Sequence, residues 1–122
     1  MSSRPFPATT AWRIALVALL VAITWLALVP APPEQLSTGW DKANHALAFA
    51  ALAFTGRLAF PGSWRRAIAA AFAAMTFGGL IEIAQLFLPG HSSEWADMLA
   101  DLIGVVIGLL AAAAVRSIAR RL

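Results

Sequence analysis

The side chains of this chain that could carry chemistry fall into pairs at helical spacing. Asp41 and His45 are four residues apart, Glu82 and Gln85 three, and Asp97 and Asp101 four. Residues so spaced share one helix face, so each pair points a single way. Ala48 continues the first stripe, Gly78 begins the second, and Gly104 and Gly108 extend the third. Histidine among carboxylates can move protons or ligate a divalent ion, and Lys42 adds a cation beside the first pair. The sequence has no cysteine, which excludes disulfides, thiolate metal sites and thiol nucleophiles. It also carries no recognised nucleophile motif, and no cofactor or dedicated metal site is expected.

These pairs need elements to hold them, and composition says which. Of 122 residues, 61% are hydrophobic and only 12% charged, against about 45–50% and 25% in an ordinary soluble domain. Four apolar stretches, 11–29, 43–60, 67–88 and 98–115, approach the length a helix needs to cross a bilayer. Pro30, Pro32 and Pro33 close the first, Pro61 and Gly62 the second, Pro89 and Gly90 the third. The expected fold is all-α: one polytopic domain over 1–122, a bundle of four transmembrane helices. A signal peptide is the other reading of the first stretch. Its length, and the Pro-Ala-Pro-Pro after it in place of a small-residue cleavage site, favour a retained span.

Orientation follows from charge. Arg4, Arg13, Arg57, Arg65, Arg66, Arg116, Arg120 and Arg121 lie on the side shared by the tails and the second loop, leaving Lys42 alone opposite. The positive-inside rule makes that side cytoplasmic, so both termini are expected in the cytoplasm of a cell whose inner membrane holds the chain. The acids Glu34, Asp41, Glu82, Glu94, Asp97 and Asp101 gather at the other, outer side. The arginines beside apolar spans have anionic lipid headgroups as their counter-charge, which argues for membrane lipids and against nucleic acid as partners. Trp12, Trp25, Trp40, Trp64 and Trp95 lie mostly near span ends, as interfacial anchors do.

A carboxylate facing lipid costs roughly 2.5–3.5 kcal/mol at mid-membrane, so the polar faces should turn toward one another. The expected result is an acidic, water-accessible outer pocket formed by Asp41, Lys42, His45, Glu82, Gln85, Asp97 and Asp101. Gly104 and Gly108 form a GxxxG motif, extended by Ala112, that lets a neighbouring helix approach closely. Each residue also has a purely architectural reading. Asp41 and Asp97 suit first-turn capping, after Thr38-Gly39-Trp40 and Ser92-Ser93-Glu94 respectively. Lys42 can balance an adjacent acid, His45 can be a hydrogen-bonded core residue, and Glu82 with Gln85 can fasten helices. His91 reads as a loop residue.

The same residues resemble the VanZ-like family of small bacterial membrane proteins, named for an accessory protein associated with teicoplanin resistance. The family pattern Asp-Lys-x-x-His is met by Asp41, Lys42 and His45, Glu-x-x-Gln by Glu82 and Gln85, and Pro-Gly by Pro89 and Gly90. The closing Asp-x-x-x-Asn-x-x-Gly-x-x-x-Gly is met by Asp97, Gly104 and Gly108. Two positions depart: His91 stands where the family usually has arginine, and Asp101 where it has asparagine. The resemblance implies a polytopic fold and a link to the cell envelope or glycopeptide response, without an established reaction. The leading expectation is a non-enzymatic envelope protein whose outer pocket binds a ligand, a lipid headgroup or a protein partner. Alternatives are an enzyme acting on a lipid-linked envelope intermediate, with Glu82 or Asp101 as acid or base and His45 assisting, and a metal or proton pathway, for which four helices would have to oligomerise.

Overall fold

In the computed structural model the described residues are 8–30, 38–39, 41–89 and 94–122. They form four helices and no strand: α1 (Ala8–Leu28), α2 (Asp41–Ala59), α3 (Trp64–Leu86) and α4 (Trp95–Arg121). The readings made above for Arg4, Pro32, Pro33, Glu34, Trp40, Gly90, His91, Ser92 and Ser93 lie outside the described residues.

Each expected apolar stretch lies within a helix or overruns it by one or two residues. α1, α2 and α3 stop short of Pro30, Pro61 and Pro89, because a proline ring disfavours helical geometry in the residue before it. All four starts fall two or three residues earlier than the apolar runs, since polar first-turn residues such as Asp41 belong to the helix although they interrupt the apolar pattern. α4 also runs six residues past its apolar stretch, through Arg116 to Arg121, where the cations sit favourably at the negative end of the helix dipole.

α2 and α3 each touch the other three helices, whereas α1 and α4 do not meet. The most extensive contact is between α2 and α4. It is set by glycine: a Cβ added at Gly104 or Gly108 would fall inside the carbonyl groups of Ala46 and Ala50. The two backbones therefore approach as only small residues allow, with Ala112 continuing the seam fully buried. Above and beside it, Phe49, Leu52, Ala53, Ala74, Val105 and Ile23 form the apolar core. α1 is fastened to α2 by an edge-to-face pair of Trp12 and Phe54 at 5.8 Å and by Leu16 against Gly56.

α1, α3 and α4 are long and apolar enough to cross a membrane. α2 is not among them, and its place explains why. It is enclosed by the other three helices, so it buries Thr55, Gly56 and Arg57 along with its apolar residues and presents less surface to any surrounding solvent. The outward faces of the others remain apolar, including Val17 and Val21 of α1, Phe72 and Leu80 of α3, and Ile103, Ile107 and Leu110 of α4. Exposed apolar side chains on this scale are unstable in water and are what a lipid environment requires.

Candidate polar site at the α2–α4 end

The α2–α4 seam brings the first turns of both helices side by side, and with them two of the three polar pairs. His45 Nδ1 lies 2.9 Å from Asp101 Oδ1. Its other nitrogen, Nε2, is 3.8 Å from Asp41 Oδ1 and 3.9 Å from Asp97 Oδ2, too far for a hydrogen bond to either. Lys42 Nζ donates to Asp97 Oδ1 and, at 2.9 Å, to Glu94 Oε2, and stands 3.5 Å from Asp41 Oδ2. Four carboxylates thus surround one ammonium and one imidazole.

Burial grades this cluster from a floor to a rim. Asp101 and Asp97 are 1% and 2% exposed, while the side chains of Asp41 and Glu94 are 67% and 59% exposed. A buried carboxylate must be paired or neutralised. Asp97 meets that condition through Lys42, and Asp101 through His45. Asp101 has its second oxygen against α3, where a Cβ at Gly78 would come within 2.8 Å of Oδ2 and 3.1 Å of the Phe49 ring. The absent side chain of Gly78 is the slot that admits the carboxylate, a role its place in the polar stripe did not disclose.

The third pair divides. Glu82 is buried one turn beyond Gly78 on the same face of α3, but no ion pair joins it to His45 among the described residues. Gln85 is buried and donates from Nε2 to the Ala27 carbonyl at 2.9 Å, tying α3 to the last turn of α1. There the carbonyls have no partner within their own helix. Asp41 and Asp97 both stand in the first turns of their helices, as the sequence reading had them. Asn44, not Asp41, receives the Thr38 amide and hydroxyl, at 2.8 and 2.7 Å. Glu94 is the N-cap of α4 without a side-chain cap bond, and Asp97 spends its carboxylate on Lys42.

Glu94 is the member of the cluster that sequence reasoning left out. Its signal was the three-residue spacing to Asp97, the same spacing that singled out Glu82 and Gln85. Asp41, His45 and Asp97 each offer one ligand atom within 4.8 Å of the others, a spacing compatible with a metal ion. The ammonium of Lys42 already holds Asp97 in that arrangement. Two shallow apolar grooves run along α1, one lined by Leu20, Val21, Thr24 and Trp25 and the other by Thr10, Arg13, Ile14, Val17 and Ala18. Neither includes a residue of the polar cluster.

A family model described as VanZ/LLP1 matches residues 6–116, in agreement with the resemblance read from Asp41 to Gly108. No curated protein and no solved structure matches the chain.

Proposed function

The chain belongs to the VanZ/LLP1 family, and from that premise we propose that it is a multi-pass protein of the bacterial inner membrane that binds a ligand at its outer polar cluster. In this reading all four helices cross the bilayer, with both termini in the cytoplasm. Support for the membrane comes from the family and from three apolar helices. Support for the fourth crossing is the position of α2, which must run alongside α4 for the Gly104 and Gly108 seam to form. The charge asymmetry of the sequence then puts Asp41, Lys42, His45, Glu94, Asp97 and Asp101 outside.

The observation that carries the binding role is the graded burial of the cluster. Helix fastening alone would be served by the inner pairs, Lys42 with Asp97 and His45 with Asp101. Asp41 and Glu94 add exposed carboxylates around the same ammonium, where they can meet a polar headgroup, a small cationic ligand or a partner protein at the membrane surface. A link to the envelope and to the teicoplanin response is part of the same proposal. A second reading is favoured by one feature of His45: with Nδ1 held by Asp101, Nε2 faces the cluster without a hydrogen bond to any described residue, as a general base is oriented by a carboxylate behind it. That reading makes the protein an enzyme on a lipid-linked envelope intermediate.

The test uses a strain lacking its own copy, complemented with the wild type, Asp41→Asn or His45→Gln, and scored for teicoplanin susceptibility together with the amount of folded protein in the membrane. Asp41 is exposed and Gln keeps a donor toward Asp101, so both variants should accumulate normally. Both are expected to lose the phenotype. Full complementation by both would leave the cluster as a helix fastener and end the binding proposal.

A further inference from the structure

The opposite end of the bundle is built around arginines. Arg57, in the last turn of α2, is only 8% exposed. It donates from Nη1 to the Phe60 carbonyl at 3.2 Å and from Nη2 to the Gly62 carbonyl at 2.6 Å. Arg66 donates to the Pro61 carbonyl at 2.9 Å, and its stem lies across Gly62, which has a φ of 147° and where a Cβ would come 2.8 Å from Arg66 Cδ. Arg13 reaches from α1 to the Ala59 carbonyl at 3.0 Å and lays its guanidinium 4.6 Å above the Phe60 ring. Arg116 continues the stripe of Gly104, Gly108 and Ala112 by one more turn, on the face of α4 that packs against α2.

Carbonyl oxygens satisfy hydrogen bonds, but they do not neutralise charge. Every ion pair among the described residues lies at the other end, in the cluster of Lys42 and His45. Arg57 is therefore a buried cation surrounded by other cations, an arrangement that is costly beside an apolar medium unless an anion joins it. A guanidinium has five N–H donors, so the two bonds of Arg57 leave others for an incoming acceptor. The first turn of α3 adds Arg65 and Arg66 and contains no acid, so nothing there offsets the charge.

The surroundings indicate what kind of anion fits. Phe60, about half exposed, and the more exposed Trp64 flank the arginines, and Arg65 lies 5.8 Å above the Trp64 ring. Aromatic rings interleaved with snorkelling arginines suit the boundary between acyl chains and headgroups. Guanidinium groups match phosphate oxygens in geometry as well as in charge. We infer that Arg57, Arg66 and Arg116, with Arg13 at the edge, form a binding site for the phosphate of an anionic phospholipid at the α2–α3 turn.

The experiment uses the full chain purified in mild detergent, with lipid adducts measured by native mass spectrometry against phosphatidylglycerol, phosphatidylcholine and inorganic phosphate. The wild type should retain phosphatidylglycerol over phosphatidylcholine. Arg66→Gln with Arg116→Gln should weaken phosphatidylglycerol roughly 30-fold, taking the usual contribution of an arginine near an anionic surface. Arg116→Gln alone removes no hydrogen bond of the turn and should weaken it about fivefold, which keeps the test open if the double variant folds poorly. Arg120→Gln with Arg121→Gln makes the same change of charge in the helix tail and should have a much smaller effect. Equal retention of the two lipids, or an equal loss in the tail variant, would overturn the site. Displacement of the lipid by inorganic phosphate at equal concentration would assign the arginines to free phosphate and overturn the lipid.

Discussion

Adding one methyl group at Gly108 should loosen the whole α2–α4 seam. A Cβ there would fall inside the Ala50 carbonyl and come 3.0 Å from the Ala53 Cβ, and one at Gly104 would fall inside the Ala46 carbonyl. Both obstacles include helix backbone, which cannot turn aside as a flexible side chain would, so the helices have to part. Overpacking of this kind costs about 1–3 kcal/mol, against which alanine regains about 0.5–1 kcal/mol over glycine in a helix. Gly79→Ala provides the matched control, because its Cβ would meet only the Met98 terminal methyl at an ordinary 3.9 Å. Thermal unfolding in one detergent, followed by tryptophan fluorescence, should therefore place Gly104→Ala and Gly108→Ala below the wild type and Gly79→Ala at or above it. Gly108→Leu should go further and reduce the folded yield on size exclusion. If Gly108→Ala melts together with Gly79→Ala, the close approach is wrong. The 2.9 Å contact of His45 with Asp101 then loses its support, because Ala46 and Gly104 are what hold those two residues in reach.

Two further outcomes are expected. Reporter fusions after Arg66 and after Leu122 should read cytoplasmic and one at Glu94 external; the reverse pattern would invert the proposed orientation and place the polar cluster inside. For Glu82, folded yield and the envelope phenotype should be compared in Glu82→Gln, which keeps shape and hydrogen bonding, and Glu82→Ala. Loss of phenotype in both with yield intact would join this residue to the functional cluster, whereas a normal Glu82→Gln beside a poorly folding Glu82→Ala would make it a fastener of α3.

What the sequence disclosed and what it withheld divide along a physical line. Apolar length and proline placement depend on neighbours in the chain, and they were enough to locate α1 to α4. Helical spacing fixes which residues share a face, and the seam at Gly104 and Gly108 followed from it. Spacing does not say which helix that face will meet. Glu82 and Gln85 share a face as expected, yet Gln85 turns to the Ala27 carbonyl of α1 while Gly78, on the same stripe, receives Asp101 from α4. α3 touches both neighbours at once, so a stripe that reads as one polar surface is divided between two interfaces. The arginines show the same limit for charge. Counting them assigns a side to each loop, but the count treats Arg57 and Arg121 alike, although one is buried around a turn and the other lies at the exposed end of α4. The difference arises because Arg57 sits one turn before the Pro61–Gly62 break, where the carbonyls of Phe60 and Gly62 cannot be satisfied by a continuing helix and accept from its guanidinium. A basic residue one turn ahead of a Pro-Gly break is thus more than a topology signal, and here it forms the wall of the proposed lipid site.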